Sequence, residues 1–146
     1  MQCPYCNHEE TKVTDKRDSG SVSRRRRECL KCGKRFTTYE RVEIDLSVVK
    51  KDGRRERFSR DKLFRGVEKC LEKRKFNEEE MEEIVSDIES RIYRIAKDKD
   101  VKSSKIGEAV MSKLRKVDKV SYLRFAAVYK HFDTVDNFKE EIDSLK

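Results

Sequence analysis

Four cysteines stand in two pairs, Cys3 with Cys6 and Cys29 with Cys32, and residues 7–28 lie between the pairs. A two-residue spacer lets a tight knuckle aim both sulfurs at one ion, so the pattern predicts a four-thiolate tetrahedral zinc site, one Zn2+ per chain. Pro4 stiffens the first knuckle, and Gly33 can take the positive φ that the second requires. Four protein ligands leave no open coordination position, so the metal is expected to be structural. Iron also accepts four thiolates and stays an alternative. A disulfide scaffold fits poorly, because the chain has five cysteines and no apolar leader of the kind secreted scaffolds carry. His8 is expected beside the cluster, not in it. The fifth cysteine, Cys70, shares an apolar stripe with Leu63, Val67 and Leu71, which predicts a buried, unreactive thiol.

Basic residues supply the second chemistry. Across 146 residues, 37 Lys and Arg exceed 29 Asp and Glu, for a net charge of +8, which favours a polyanion as partner. One basic run lies inside the cysteine module and includes Arg24, Arg25, Arg26, Arg27, Lys31 and Arg35; Glu28 is its sole acid. A second spans Lys50 to Arg65. Its members Lys50, Lys51 and Lys62, with Glu56 and Ser59, gather around an expected helix N-terminus, where amide dipoles favour anions. A solvated face is the alternative for either run. No Walker A loop, dinucleotide fingerprint, H-x-E or S-x-x-K constellation occurs, so the chain is expected not to be an enzyme.

These groups need elements to hold them. Thr11–Asp15, Val22–Glu28 and Arg35–Val42 read as three strands, the first two joined through Asp18-Ser19-Gly20-Ser21. Strand alternation would send Arg24 and Arg26 to one face and Arg25 and Arg27 to the other. So small a ribbon must draw its folding free energy from metal.

At Ile44 thiols give way to regular apolar spacing, which divides the chain into residues 1–44 and 45–135, with a tail at 136–146. Asp52-Gly53 marks a hairpin between Asp45–Lys50 and Arg54–Phe58. Ser59 caps a first helix to about Arg74, and Asn77 with Glu80 caps a second. Ser103 or Ser104 is expected to cap a third helix and Asp118 a fourth. Phe138, Ile142 and Leu145 form a last weak amphipathic stretch with two open docking sites, this bundle or another subunit. The fold class is α+β, a three-stranded ribbon followed by a β-hairpin and four-helix bundle. With apolar residues at 35%, charged residues at 45% and no apolar run long enough to span a bilayer, a soluble cytoplasmic protein is expected, with no membrane partner.

Cys3-Pro4-Tyr5-Cys6, Arg24 to Glu28 running into Cys29-Leu30-Lys31-Cys32, and Arg35-Phe36-Thr37-Thr38-Tyr39-Glu40 resemble the zinc-ribbon half of the bacterial NrdR family, transcriptional repressors of ribonucleotide reductase genes. Val48 to Phe58 with Asp61-Lys62-Leu63 is similar to that family's ATP-cone, and Tyr122 to Tyr129 resembles its closing helix. The resemblance implies a nucleotide-sensing repressor. ATP or dATP in the cone would set a homo-oligomeric state, and the oligomer would decide whether the ribbons occupy paired operator boxes on double-stranded promoter DNA. It places Val48, Lys50, Lys51, Glu56, Ser59 and Lys62 around the nucleotide, with Ser103, Gly107 and Tyr129 from the later helices. Lys51 stands where the family more often has Arg, and Ala127 where Ser is common. An ATPase, a detached regulatory part of a reductase, and an RNA-binding or ribosome-associated zinc ribbon are the competing readings.

Overall fold

The N-terminal module is a sheet because its chain between the knuckles is polar, alternating and turned sharply at Gly20, whose φ of 56° is open to glycine. A computed structural model of the chain describes residues 1–20 and 22–146; Ser21, in the expected turn, lies outside them. Strands β1 (Thr11–Ser19), β2 (Val22–Cys29) and β3 (Arg35–Arg41) pair antiparallel in that order. β1 runs four residues further than the alternation predicts, with an irregularity between Val13 and Asp15. The backbone falls into two compact units, Met1–Glu43 and Ile44–Lys146.

The second unit begins with β4 (Ser47–Val49) and β5 (Arg55–Arg57), the expected hairpin turning at Gly53, φ 85°. Helices α1 (Arg60–Leu71), α2 (Glu78–Ile95), α3 (Ser103–Val117), α4 (Lys119–Tyr129) and α5 (Val135–Asp143) follow. The hairpin is not alone. A third strand, β6 (Asp100–Lys102), pairs parallel with β4 on the side away from β5, matching Val48 to Val101. Three residues bearing two charges carry no readable alternation, so the sequence reading missed it.

Ser59, Asn77 and Asp118 cap α1, α2 and α4 as expected, Asn77 through a full capping box with Glu80. α3 differs. β6 runs straight into it, Lys102 is the boundary residue with no side-chain cap bond, and Ser103 and Ser104 already lie in the first helical turn.

Leu63, Val67, Cys70 and Leu71 from α1 meet Ile84, Val85, Ile88 and Ile92 from α2, with Val110, Leu114, Tyr122 and Ala126 completing the core. Val128, in the apolar run of α4, instead faces solvent with 75% of its surface exposed. The tail is the fifth helix and docks on its own bundle. Leu145 is buried, Glu141 accepts hydrogen bonds from Tyr122 and Lys130, and Arg115 and Lys119 donate to the carbonyls of Ser144 and Leu145.

Candidate functional site

The four paired cysteines converge. Their sulfurs all lie within 4.8 Å of one another, with Cys3 Sγ 3.7 Å from Cys32 Sγ and Cys6 Sγ 3.6 Å from Cys29 Sγ. Disulfide sulfurs would sit at about 2 Å. A tetrahedron of thiolates with metal–sulfur bonds of about 2.3 Å spaces its sulfurs by roughly 3.8 Å, so this donor set fits zinc. The knuckles prepare it. The amides of Lys31 and Cys32 donate to Cys29 Sγ at 3.4 and 3.5 Å, and Gly33 takes φ 68°. The amide of Cys32, then that of Lys31, holds the Cys29 thiol down, whereas, against the lowering pull of the His8 amide, burial and the neighbouring sulfurs push Cys6 up, so Cys29 is the first of this pair to reach the thiolate form that a metal requires. His8 contributes backbone groups: its carbonyl accepts from the Cys3 amide at 2.8 Å, and its amide donates to the Cys6 sulfur. Cys70 is buried in the helical unit, and burial pushes its thiol up, the opposite of a reactive cysteine.

The arginines of β2 stand on both faces of the ribbon. Arg25 pairs with Glu40 at 2.7 Å, and Arg27 donates to Thr38 and Thr11 at 3.1 and 3.3 Å. Arg26 is exposed, as is Lys31 on the second knuckle. Arg35 pairs with Glu28 at 2.8 Å, and Lys12 shares that carboxylate.

In the second unit, Val48, Lys50, Lys51, Glu56, Ser59, Lys62, Ser103, Gly107 and Tyr129 all line one cavity of about 360 Å³. Its lining is of two kinds. Lys50, Lys51 and Lys62 come from the hairpin and the first turn of α1, beside the Ser59 cap, whereas Leu63, Val67, Ile106, Val110 and Phe125 supply apolar surface. Glu56 lies between Lys50 and Lys62, 3.4 and 3.5 Å from their ammonium groups. The hydrogen bond and charge of Lys50, followed by the charge of Lys62, hold its carboxyl below the usual range. One carboxylate is thus counter-ion to two lysines, of which Lys50 is partly and Lys62 largely exposed.

Phe58, Ser104, Ile106 and Phe125 also line the cavity and were not among the sequence candidates. Phe125 lies on the i, i+4 stripe with Tyr129, and that spacing could have found it. The two rings stack at 5.6 Å, and the Tyr129 hydroxyl donates to the Ser104 carbonyl at 2.8 Å. Gly107 explains itself here: a Cβ on it would fall inside the Tyr129 ring. Its role is to let that ring lie against α3. Apolar and aromatic side chains together with ammonium groups in one cavity suit a ligand that carries both a flat ring and anionic charge. Neither His nor Cys lines the cavity, so it offers no nucleophile–base pair of those types.

Among the described residues no helix is long and apolar enough to cross a membrane. Comparison with known proteins assigns both units. Residues 1–40 match the family described as the N-terminal domain of NrdR-like transcriptional repressors, and residues 46–135 match the ATP cone domain. Proteins named transcriptional repressor NrdR are similar along nearly the whole chain. The one from Kosmotoga olearia is 52% identical over 100% of this chain and 94% of its own length. Those from Caldicellulosiruptor saccharolyticus and Clostridium tetani are each 49% identical, over 99% and 100% of this chain and 96% and 97% of theirs. A zinc ribbon with its thiolates gathered, joined to a nucleotide-sensing ATP-cone, makes this chain a regulator, and it belongs to the NrdR family of transcriptional repressors.

Proposed function

We propose that the cavity of the cone binds ATP and dATP, that the bound nucleotide sets the oligomeric state, and that the oligomer determines whether the zinc ribbons occupy paired operator boxes upstream of ribonucleotide reductase genes. The observation that carries this reading is that one cavity is lined both by three lysines and by the Phe125–Tyr129 stack. Lys50, Lys51 and Lys62 would take the triphosphate, with Lys51 acting as a point charge where an Arg would supply a bidentate fork. Arrival of phosphate would release Glu56 from its two lysines and free its carboxylate to accept hydrogen bonds. One zinc per chain would hold the ribbon, and its arginines would meet the polyanion.

The regulatory logic is consistent with the chemistry. A cell with enough deoxynucleotides should stop making the reductase, so the repressor must register dATP against ATP, which differ by one hydroxyl. A pocket packed against the sugar rejects an added hydroxyl by only about 10²-fold. Assembly of several subunits steepens the response to such a modest difference. The experiment is calorimetric titration of zinc-loaded protein with ATP and with dATP, for the parent chain and for Lys62→Ala. Binding that is weakened at least tenfold in the variant, with zinc content unchanged, is expected. Equal binding by both proteins would remove the cavity from this role. Steady release of inorganic phosphate would turn the reading towards an ATPase.

A further inference from the structure

A three-stranded ribbon has two faces, and the pairing register of this one separates them by charge. β2 is the middle strand, so every residue directly opposite one of its members on β1 or β3 shares that member's face. Arg24 lies between Arg17 and Tyr39, Arg26 between Asp15 and Thr37, and Glu28 between Lys12 and Arg35; Val22 pairs with Arg41. This face therefore carries Lys12, Arg17, Arg24, Arg26, Arg35 and Arg41, opposed only by Asp15 and Glu28. The other face holds Lys16, Arg25 and Arg27 against Asp18 and Glu40. Six cations against two carboxylates face three against two.

The guanidiniums of the two faces are also engaged differently. Arg25 is tied to Glu40, and Arg27 bridges β3 and β1 through Thr38 and Thr11. Those bonds bind the ribbon's own strands together. On the first face Arg26 is exposed and has no ion pair among the described residues, Arg17 pairs with exposed Asp15 on its own strand at 3.3 Å, and Lys12 and Arg35 share the carboxylate of Glu28, so none of these pairs ties Arg26 down. Tyr39 adds an aromatic ring over which Arg41 lies at 5.0 Å.

We propose that duplex DNA docks on the Arg24–Arg26 face, with Arg17, Arg35, Arg41 and Tyr39 completing the interface, and that Arg25 and Arg27 are structural residues of the sheet. This rests on the reading of the ribbon as the DNA-binding module, and it divides the arginine run into alternate residues with different work. A strand laid along a groove presents one face to base edges and phosphates, so at most every second residue of β2 can reach them.

The test uses the full zinc-loaded chain with dATP and a fluorescently labelled mixed-sequence DNA duplex, whose binding is read by anisotropy as salt is raised. Two double variants remove equal charge, Arg17→Gln with Arg26→Gln, and Arg25→Gln with Arg27→Gln. The first pair should lower the slope of log affinity against log salt by roughly two, about one for each arginine taken off a phosphate, and the second should leave it unchanged. Loss of zinc by the second pair would mark a damaged sheet, and Arg25→Gln alone, whose partner Glu40 is exposed, then replaces it with the same expected result. Flattening by the second variant alone, or equally by both, would overturn the assignment of the face while leaving the ribbon as the DNA module. Undiminished binding and slope in both would overturn the reading of the ribbon itself.

Discussion

The two units hold themselves together by different means. In the ribbon, Cys3 and Cys29 are the only buried residues among those described, and both belong to the thiolate cluster. Its strands are charged on both faces, so almost no apolar area leaves water when they form. The second unit buries a continuous cluster in which Ile88, Ile92, Leu114, Val67, Val85 and Val110 are nearly or wholly removed from solvent. One module gathers around a four-thiolate cluster and the other around a hydrocarbon core. The difference suits their partners, since a surface left almost wholly polar can meet a polyanion, whereas a packed bundle can enclose a cavity.

Breaking the metal site should separate the modules most widely. Cys29→Ser removes one of four ligands from a site whose binding free energy, on the order of 10 kcal/mol in comparable modules, is the ribbon's folding free energy. Residues 1–43 should lose protection in amide hydrogen exchange while the helices of the second unit keep theirs. Persistence of ribbon protection without metal would show that the sheet holds itself. Leu114→Ala reverses the comparison. It opens a cavity at a fully buried position, should cost the second unit about 2–5 kcal/mol in denaturant unfolding, and should leave the zinc content unchanged.

A smaller effect is expected from Gly107→Ala. The new methyl must displace the Tyr129 ring, which should cost about 1–3 kcal/mol and weaken ATP binding without touching any lysine. Unchanged nucleotide affinity would show that the ring's position does not shape the cavity.

Asp118 gives the smallest of the four effects. It caps α4 through Ser121 and pairs with Arg74 at 2.7 Å, and this hydrogen bond to Arg74 leads in holding its carboxyl down at about 2. Because the folded value is depressed, the contribution is complete above the unfolded value near 4 and fades as pH falls towards 2. Asp118→Ala should lose about 1 kcal/mol of helix capping at pH 7. The gap from the parent should narrow in melts between pH 4 and pH 2; a gap constant with pH would mean that the carboxylate is not the stabilising group.

Much of this architecture was legible because local chemistry and global fold agree. The knuckle spacing, the capping residues Ser59, Asn77 and Asp118, and the stripe of Leu63, Val67, Cys70 and Leu71 each state their own role within a few residues. β6 was not legible, since a three-residue parallel strand owes its existence to β4, more than 50 residues earlier in the chain. The α3 start was misread for the same reason: two serines look like caps until a strand runs directly into the helix. Gly107 shows a further limit. Its work is done on Tyr129, across the gap between α3 and α4, and spacing reports only neighbours on one element. The two faces of the arginine run follow from alternation alone, whereas their unequal charge emerges only from the pairing register.

We propose that nucleotide in the helical unit governs the assembly that presents the ribbons. Light scattering of the zinc-loaded chain, recorded without nucleotide, with ATP and with dATP, tests it most directly. Different discrete masses with ATP and with dATP are expected, with loss of that difference in Lys62→Ala. One mass under all three conditions, at concentrations where calorimetry shows the cavity filled, would contradict it.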